Sequence, residues 1–213
     1  MSISTLTRMT VPLASNASAE TQGLLMPKLQ YRFRITFLGF GAVGSVTTEL
    51  TKQVVDVTRP QVTFQNIVLD VYNSKVNIAG KHEWATMTVN LRDDASGNVQ
   101  KLVGEQIQKQ FDFFEQASAV SGQDYKFTTF IEVLDGGNGS QTPGVLETFE
   151  CYGCYLEGTN YNSMNYTTSE PVTVSLTVRY DNAIQYKGGA VNGIGRNIGA
   201  RTVGALTTGG GAL

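Results

Sequence analysis

The stretch that decides the fold is residues 172–180, VTVSLTVRY, in which apolar and polar side chains alternate without interruption. Its apolar positions are Val172, Val174, Leu176, Val178 and Tyr180, and Thr, Ser, Thr and Arg stand between them. Successive side chains of a strand point to opposite faces, so this period of two predicts a half-buried antiparallel β-strand.

The same alternation recurs along the chain. In residues 31–37, YRFRITF, the apolar residues Tyr31, Phe33, Ile35 and Phe37 alternate with Arg and Thr. Further segments with strand character are residues 61–64, 67–72, 85–91, 125–133 and 145–156. We therefore expect a mainly β protein with an antiparallel sandwich-like or barrel-like fold.

One segment departs from the β pattern. Within residues 96–120, apolar side chains recur at steps of three and four, which is the spacing of one helical face. The apolar stripe consists of Val99, Leu102, Val103, Ile107, Phe111 and Phe114. It predicts one helix over about residues 97–118, with Asp94 or Ser96 supplying the N-terminal capping oxygen.

The chain divides by composition into three parts. Residues 1–27 are rich in Ser, Thr and Ala and are expected to form an N-terminal arm, whereas residues 28–186 form the β domain. Residues 187–213 are glycine-rich and contain no acid, and predict an extended C-terminal arm. Such a segment buries too little surface by itself to offset its ordering entropy, so we expect a second copy of the chain to hold it.

Composition also argues against several classes of protein. Hydrophobic residues make up 41% of the chain, but no run of eighteen apolar residues occurs, so no membrane anchor is expected. The N-terminus lacks the continuous apolar segment of a secretory signal, which favours folding in a cytoplasm. With a net charge of −2, the chain lacks the basic surface expected of a protein that recognises a nucleic-acid sequence.

A glycine run after the first strand raises the question of a nucleotide site. Gly39, Gly41 and Gly44 have the G-x-G-x-x-G spacing. However, the preceding strand alternates with arginines, whereas a dinucleotide-binding strand is buried on both faces, and no βαβ pattern follows. The glycines are therefore interpreted as part of a hairpin or flexible loop.

The remaining reactive residues predict no catalytic, cofactor or metal site. Cys151 and Cys154 form a lone C-x-x-C within a strand pattern, where positions three apart point to opposite faces unless Gly153 marks a bulge. His82 is the only histidine, and Asp93 and Asp94 precede the helix, where capping is their expected role. We expect two ordinary thiols and no enzymatic activity.

The ordered set of segments over residues 27–186 resembles the tail tube proteins of contractile-tailed bacteriophages. The most specific part is KVNIAGKHEWATMTVNLRDD, residues 75–94, which is followed by the helix. Its matching positions are Lys75, Asn77, Ala79, Gly80, Trp84, Thr88, Val89, Asp93 and Asp94. A second match lies at the start of the domain and comprises Pro27, Leu29, Phe33, Leu38 and Gly39.

This resemblance implies a structural virion protein. Members of the family form hexameric rings that stack into a hollow tube inside a contractile sheath. The tube holds the tape-measure protein and later conducts DNA without reading its sequence. The implied partners are further copies of the chain, the sheath, the baseplate or initiator and the tail terminator. The implied location is the virion tail, assembled in the host cytoplasm.

Two sets of candidate residues follow from this interpretation. The segment 40–60 is long for a hairpin connection, so contacts between subunits or rings are expected there and in the C-terminal arm. These contact candidates are Val43, Val46, Leu50, Val54, Val55, Arg196 and Arg201. An acidic lumen would let DNA slide, and its candidates are Asp70, Glu132, Glu147 and Glu150.

Other functions remain open at the level of sequence. The alternatives of the same kind are a baseplate or terminator ring, and the tube of a phage-tail-like bacteriocin or type VI secretion system. A different class is a monomeric ligand-binding β-sandwich, with Tyr161 and Tyr166 as exposed aromatic residues of the binding loop.

Overall fold

The computed structural model describes residues 27–42, 47–137 and 142–197 of the chain. The chain divides into two units, one up to Arg32 and one from Phe33 onward. In the first unit, the Arg32 amide donates to the Leu29 carbonyl over 3.2 Å, and the Arg32 guanidinium lies 5.4 Å from the centre of the Tyr31 ring. The first strand thus begins at Phe33 and not at Tyr31. Most of the predicted N-terminal arm, residues 1–26, lies outside the described residues.

The second unit consists mainly of β-strands. The strands are β1 (Phe33–Leu38), β2 (Val54–Val57), β3 (Val62–Val71), β4 (Ser74–Trp84), β5 (Met87–Arg92), β6 (Phe111–Asp112), β7 (Ala117–Ser118), β8 (Phe127–Leu134), β9 (Val145–Asn160), β10 (Thr173–Arg179), β11 (Asn182–Lys187) and β12 (Ala190–Val191). The helices are α1 (Thr48–Gln53), α2 (Asn98–Gln110) and the single turn α3 (Gly122–Tyr125). In the described parts of the chain, no helix is long and apolar enough to span a membrane.

The main sheet is antiparallel and has the strand order β1-β8-β9-β10-β5-β2. Strand β11 also pairs with β9, and β12 pairs with β11. The long strand β9 connects the two halves of this arrangement, since its first part pairs with β8 and β11 and its last part pairs with β10. The predicted fold class, mainly β and antiparallel, is confirmed.

The core lies where the apolar faces of these strands meet helix α2. Val174, Leu176 and Val178 of β10 have at most 1% of their surface exposed, as the alternation in residues 172–180 predicts. Helix α2 contributes Val99, Leu102 and Val103 to the same cluster. Burying an apolar side chain of this size stabilises the fold by roughly 1.5–3 kcal/mol, so the strand pattern and the helix stripe specify one core together.

Helix α2 is shorter than the predicted helix of about 97–118, and the prediction is wrong beyond Gln110. Phe111 is extended and begins a small hairpin of β6 and β7. The Asp112 carboxylate accepts the backbone amides of Phe114 and Glu115, which closes the turn and lowers the pKa of Asp112. These local bonds compete with helix continuation, and Phe114 of the predicted apolar stripe is left 95% exposed.

The start of α2 agrees with the predicted capping role of Asp94. The N-terminal flanking residue is Gly97, and the Asp94 carboxylate accepts the Val99 amide of the first turn over 3.1 Å. Asp94 also accepts a hydrogen bond from the Ser96 hydroxyl, and these two bonds lower the pKa of Asp94. The carboxylate thereby satisfies one of the amides that a helix N-terminus leaves unpaired.

Two segments that were predicted to lack regular secondary structure contain helices or strands. The segment 40–60 includes α1 and β2, of which β2 pairs with β5. After Tyr186, the chain folds back as β12, and the Gln185 amide donates to the Ile194 carbonyl over 3.0 Å. The rest of the predicted C-terminal arm, residues 198–213, lies outside the described residues.

Candidate assembly surface

A long hairpin of β3 and β4 forms a two-stranded sheet of its own, outside the main sheet. Its strands have 10 and 11 residues. Almost all of its side chains are exposed, including Tyr72 beside the tip and most of the large apolar ones; Val62 and Trp84 at the base are partly buried. Two-stranded ribbons are only marginally stable by themselves in water, so this one needs a further surface to pack against.

The far part of the hairpin has one apolar face. Ile67 pairs with Ile78 and Leu69 pairs with Val76, and directly paired side chains of an antiparallel ladder lie on the same face. Val71 continues this face towards the tip. These five side chains, between 46% and 51% exposed, are called the apolar face of the hairpin below.

The opposite face of the same ribbon is polar. The Asn66 side chain donates to the Asn77 side chain over 3.0 Å, and Lys75 lies 3.5 Å from the Asp70 carboxylate. Both bonds join side chains of neighbouring strands within the hairpin. The polar side chains of this face, which also carries Val68, therefore bond to one another and to water. The aliphatic side chains of the apolar face gain nothing from water and favour burial.

The four predicted lumen acids do not share one surface. Glu132 of β8 and Glu150 of β9 lie on the face of the sheet that points away from the core, because core residues alternate with both. Glu147 lies on the opposite side of β9, is only 6% exposed, and accepts a hydrogen bond from Gln185. Asp70 belongs to the polar face of the hairpin.

The outward face around Glu132 and Glu150 is continuous over four strands. Arg34 of β1 pairs with Glu132, with 2.5 Å between the guanidinium nitrogen and the carboxylate oxygen, and this bond raises the pKa of Arg34. On β11, the Tyr186 hydroxyl lies 3.3 Å from the Tyr152 hydroxyl of β9. Glu132, Glu150 and Tyr186 also line a shallow open pocket of about 440 Å³. This face thus presents two carboxylates, one of them paired with Arg34, and two phenols to its surroundings.

The predicted contact residues of the 40–60 segment fall into different environments. Leu50 has no exposed surface and belongs to the protein's own core, so its predicted role as a contact with another subunit is wrong. Val54 is partly buried against the same core, while Val55 is 38% exposed. Helix α1 places Leu50 inward, which the sequence did not indicate because residues 40–60 were expected to be a loop. Val43 and Val46 lie outside the described residues.

Of the two arginines predicted as contacts in the C-terminal arm, Arg196 is described and exposed. Its amide donates to the Gly193 carbonyl over 3.1 Å, which closes a turn just after β12. Arg201 lies outside the described residues. The contact role of Arg196 remains a prediction.

The glycine run forms a turn that docks onto helix α2. Gly39 and Gly41 have φ angles of +81° and +77°, a region that favours glycine. The Gly41 amide donates to the buried Gln106 side chain over 2.9 Å, and the same side chain donates to the Tyr125 carbonyl over 2.7 Å. The Gly41 amide is thus occupied by a protein acceptor; Gly44 lies outside the described residues.

The two cysteines are buried together. Gly153 has a φ of +65°, and the register with β8 shifts nearby, so a bulge brings both thiols into the core with no exposed surface. Burial raises the pKa of Cys154 to about 11 and that of Cys151 further. No group of three or more His, Cys, Asp or Glu that could hold a metal ion is found in the described parts of the chain.

The sequence interpretation missed the apolar face of the hairpin. The sequence pattern predicts two short strands at residues 61–64 and 67–72 and no strand at residues 74–84, whereas the structure has one long hairpin. The signal was the alternation of Val76 and Ile78 with polar residues, opposite the run of Ile67, Leu69 and Val71. Such a pattern normally indicates a core-facing strand, whereas the structure leaves these side chains about half-exposed among the described residues.

Comparison with known proteins identifies the fold. No protein-family model matches the sequence, and no characterised protein matches it either. Among solved structures, the cap that terminates the tube of the anti-feeding prophage matches with a TM-score of 0.56 and 15% identity, over 80% of this chain and 97% of that chain. A chain of the anti-feeding prophage baseplate matches with a TM-score of 0.55 and 10% identity, over 77% and 98%.

A third similar structure comes from a sheath–tube complex. A chain of the sheath–tube complex of the PVC extracellular contractile injection system, in the extended state, matches with a TM-score of 0.53 and 14% identity, over 76% of this chain and 92% of that chain. The chain therefore shares the fold of chains from a tube-terminating cap, a baseplate and a sheath–tube complex.

Proposed function

We propose that this protein is a non-enzymatic structural subunit that forms hexameric rings, and that the rings stack into the hollow tube of a contractile tail. The observation that carries the proposal is the apolar face of the hairpin, whose five side chains are about half-exposed among the residues that the structure describes. The similarity of fold to the tube, cap and baseplate chains supports the same class of role.

The main sheet adds a second argument for assembly. Within residues 27–42, 47–137 and 142–197, its end strands β1 and β2 each pair with a strand on one side only. Unpaired strand edges promote association with other chains, and soluble monomers usually protect them. A head-to-tail contact between copies closes into a ring when its rotation permits, and a ring can use both edges.

The outward face of Glu132 and Glu150 is our candidate for the lumen surface. A conduit for DNA has to avoid the strong binding that basic surfaces show towards phosphate. Glu150 and Glu132 are half-buried in the single chain and lie on adjacent strands. In this proposal the tube holds a tape-measure protein and later passes DNA, with the sheath outside and the baseplate and terminator at the ends. Its place is then the tail of a virion assembled in the host cytoplasm.

The second candidate is a cap, terminator or baseplate ring of the same kind of particle. The anti-feeding prophage cap, with its TM-score of 0.56, favours this alternative. Both candidates form rings, but only a tube subunit adds further rings on both sides. The length of the assembled particle therefore distinguishes them.

The test is electron microscopy of the purified protein at high concentration. We expect tubes from the wild-type chain. In a matched variant, residues 66–79 are replaced by a two-residue Asn-Gly turn, which keeps the base of the hairpin and favours strand reversal. We expect this variant to remain a folded monomer by sedimentation and circular dichroism. Single rings from the wild type would favour the cap, and a wild type that stays monomeric would contradict the proposal. Normal tubes from the shortened variant would show that the hairpin does not carry the assembly.

A further inference from the structure

An asparagine followed by a glycine stands near the end of the described chain. Asn192 and Gly193 come directly after β12, and both are exposed. Gly193 has a φ angle of +87°, in the region that favours glycine. The sequence contains one other Asn-Gly pair, Asn138–Gly139, which lies outside the described residues. Asn192 is therefore the asparagine of this kind whose surroundings the structure describes.

The segment 190–197, called the C-terminal strap below, is held along β11 by backbone hydrogen bonds. The Asn192 amide donates to the Gln185 carbonyl over 2.8 Å, and the Gln185 amide donates to the Ile194 carbonyl over 3.0 Å. Both bonds belong to Gln185, and they enclose the peptide link between Asn192 and Gly193. The length of the backbone across this link therefore decides whether both bonds form together.

The side chain of Gln185 also fixes the path of the C-terminal strap. Its amide nitrogen donates to the Glu147 carboxylate, which is only 6% exposed. A Cβ atom at Gly193 would collide with the Gln185 carboxamide oxygen. Gly195 also passes close to β11, since a Cβ atom there would lie 2.9 Å from the Ile184 side chain. The strap thus follows β11 closely, and additional backbone length would force it away from the strand.

Asparagine is one of the chemically labile residues of proteins. The backbone nitrogen of the next residue attacks the carboxamide carbon. A new C–N bond forms, the bond to the side-chain nitrogen breaks, and that nitrogen leaves as ammonia with the proton of the backbone amide. Water then opens the five-membered succinimide at either carbonyl carbon and gives aspartate or isoaspartate. Glycine in the next position favours this ring closure because it has no Cβ atom in the way.

We propose that Asn192 is a site of spontaneous deamidation, and that its isoaspartate product detaches the C-terminal strap from β11. In isoaspartate the main chain runs through the side-chain carbon, so one additional backbone atom lies between the nitrogens of residues 192 and 193. The two hydrogen bonds of Gln185, one on each side of this link, then cannot form together. This inference goes beyond the proposed function and does not depend on it.

Other asparagines are protected by their place in the fold. Asn182 is exposed as well, but it lies in β11, pairs with β9 and is followed by alanine. The Asn90 carboxamide donates to the Asp56 carboxylate over 2.8 Å. A paired strand backbone or a bonded carboxamide hinders the approach of the next backbone nitrogen, so we expect both asparagines to stay intact.

Tryptic peptides separate the two exposed asparagines for measurement. Cleavage after lysine and arginine yields peptide 188–196, in which Asn192 is the only asparagine, and peptide 180–187, which contains only Asn182. The purified folded protein is incubated at mildly alkaline pH and digested at intervals. We expect peptide 188–196 to gain the mass of an OH group in place of NH₂ and to be labelled by an isoaspartyl methyltransferase. Peptide 180–187 should remain unchanged, and Asn192→Gln should abolish the modification.

Limited proteolysis of the folded protein measures the detachment. Lys187 lies at the turn between β11 and β12, which the C-terminal strap holds in place. We expect trypsin to cut after Lys187 faster in the incubated wild type than in the fresh protein, in proportion to its isoaspartate content. Incubated Asn192→Gln should be cut as slowly as the fresh wild type. Asn192→Asp carries the charge of the product on a normal backbone and should also be cut slowly. Thermal melting shows that both variants fold.

Three results would overturn the proposal in distinct ways. If peptide 188–196 stays unmodified in the folded protein, the site is refuted, and modification only after unfolding in urea would show that the strap prevents ring closure. If the modified protein is cut no faster than the fresh protein, the detachment is refuted. If Asn192→Asp is cut as fast as the modified wild type, the charge and not the additional backbone atom releases the strap.

Discussion

At the scale of single residues, burial decides the chemistry of Cys151 and Cys154. Both thiols lie in the core, and the Cys154 thiol donates to the Cys151 carbonyl over 3.3 Å. Burial disfavours the thiolate, which is the nucleophilic form and the metal ligand. The pKa of Cys154 therefore rises from 9.0 to about 11, and that of Cys151 also rises. Both residues act as small apolar side chains.

We predict that Ellman's reagent modifies neither thiol in the folded protein at pH 8 and modifies both after unfolding. Because the folded state binds the thiol protons more tightly, these groups stabilise the fold fully below pH 9, and this contribution declines as the pH rises from 9 towards 11. Urea unfolding of the wild type and of Cys154→Ala over this range measures the decline, which should be shallower in the variant. Rapid modification of the folded protein would contradict the prediction.

At the scale of elements, glycines in β9 and α2 have opposite consequences for stability. Gly153 occupies the bulge of β9 with a φ of +65°, and a Cβ atom there would collide with the Asp181 carboxylate, which is paired with Lys126. Gly104 lies within α2, and a Cβ atom added there would meet nothing within 4 Å. One glycine is thus required by its conformation, and the other only weakens a helix.

We predict that Gly153→Ala destabilises the protein by about 1–2 kcal/mol from the left-handed conformation alone, with the collision adding to this cost. Gly104→Ala should stabilise it by up to about 1 kcal/mol, because alanine is the better helix former. Denaturant unfolding measures both changes, and each variant serves as the control for the other. If both variants changed the free energy of unfolding by the same amount in the same direction, a side chain at position 153 would cause no strain in the bulge.

At the scale of the whole molecule, the outward face of β1, β8, β9 and β11 is our proposed lumen surface of the assembled tube. Glu132 and Glu150 lie on this face, whereas Glu147 points to the core side and Asp70 lies on the hairpin. Only the first two therefore qualify together as lumen residues. Asp70 serves as a control position for changes of charge.

We predict that tubes of Glu150→Lys retain short duplex DNA that wild-type tubes release, because lysines repeated around a ring bind phosphates through counterion release. The retention should weaken steeply with increasing salt. Tubes of Asp70→Lys should release DNA as the wild type does. The measurement is co-sedimentation of labelled DNA with assembled protein at several salt concentrations. Equal release of DNA from all three proteins would show that Glu150 does not face the lumen.

The sequence by itself determined the strands of the core and the fold class. Val174, Leu176 and Val178 alternate with polar residues, and this local period is sufficient to place them on the buried face. The same holds for the first turns of α2, where Val99, Leu102 and Val103 follow the helical period. Such patterns depend only on neighbours along the chain, so they can be read without knowledge of the tertiary structure.

Only the tertiary structure decided which apolar residues find partners within the chain. Leu50 and Leu69 are equally apolar, yet Leu50 is fully buried in the core and Leu69 lies half-exposed on a projecting hairpin. The end of α2 and the bulges at Gly80 and Gly153 were also set by contacts between distant or competing groups. Burial depends on contacts between segments that are far apart in sequence. A local pattern carries no information about whether a distant segment packs against it.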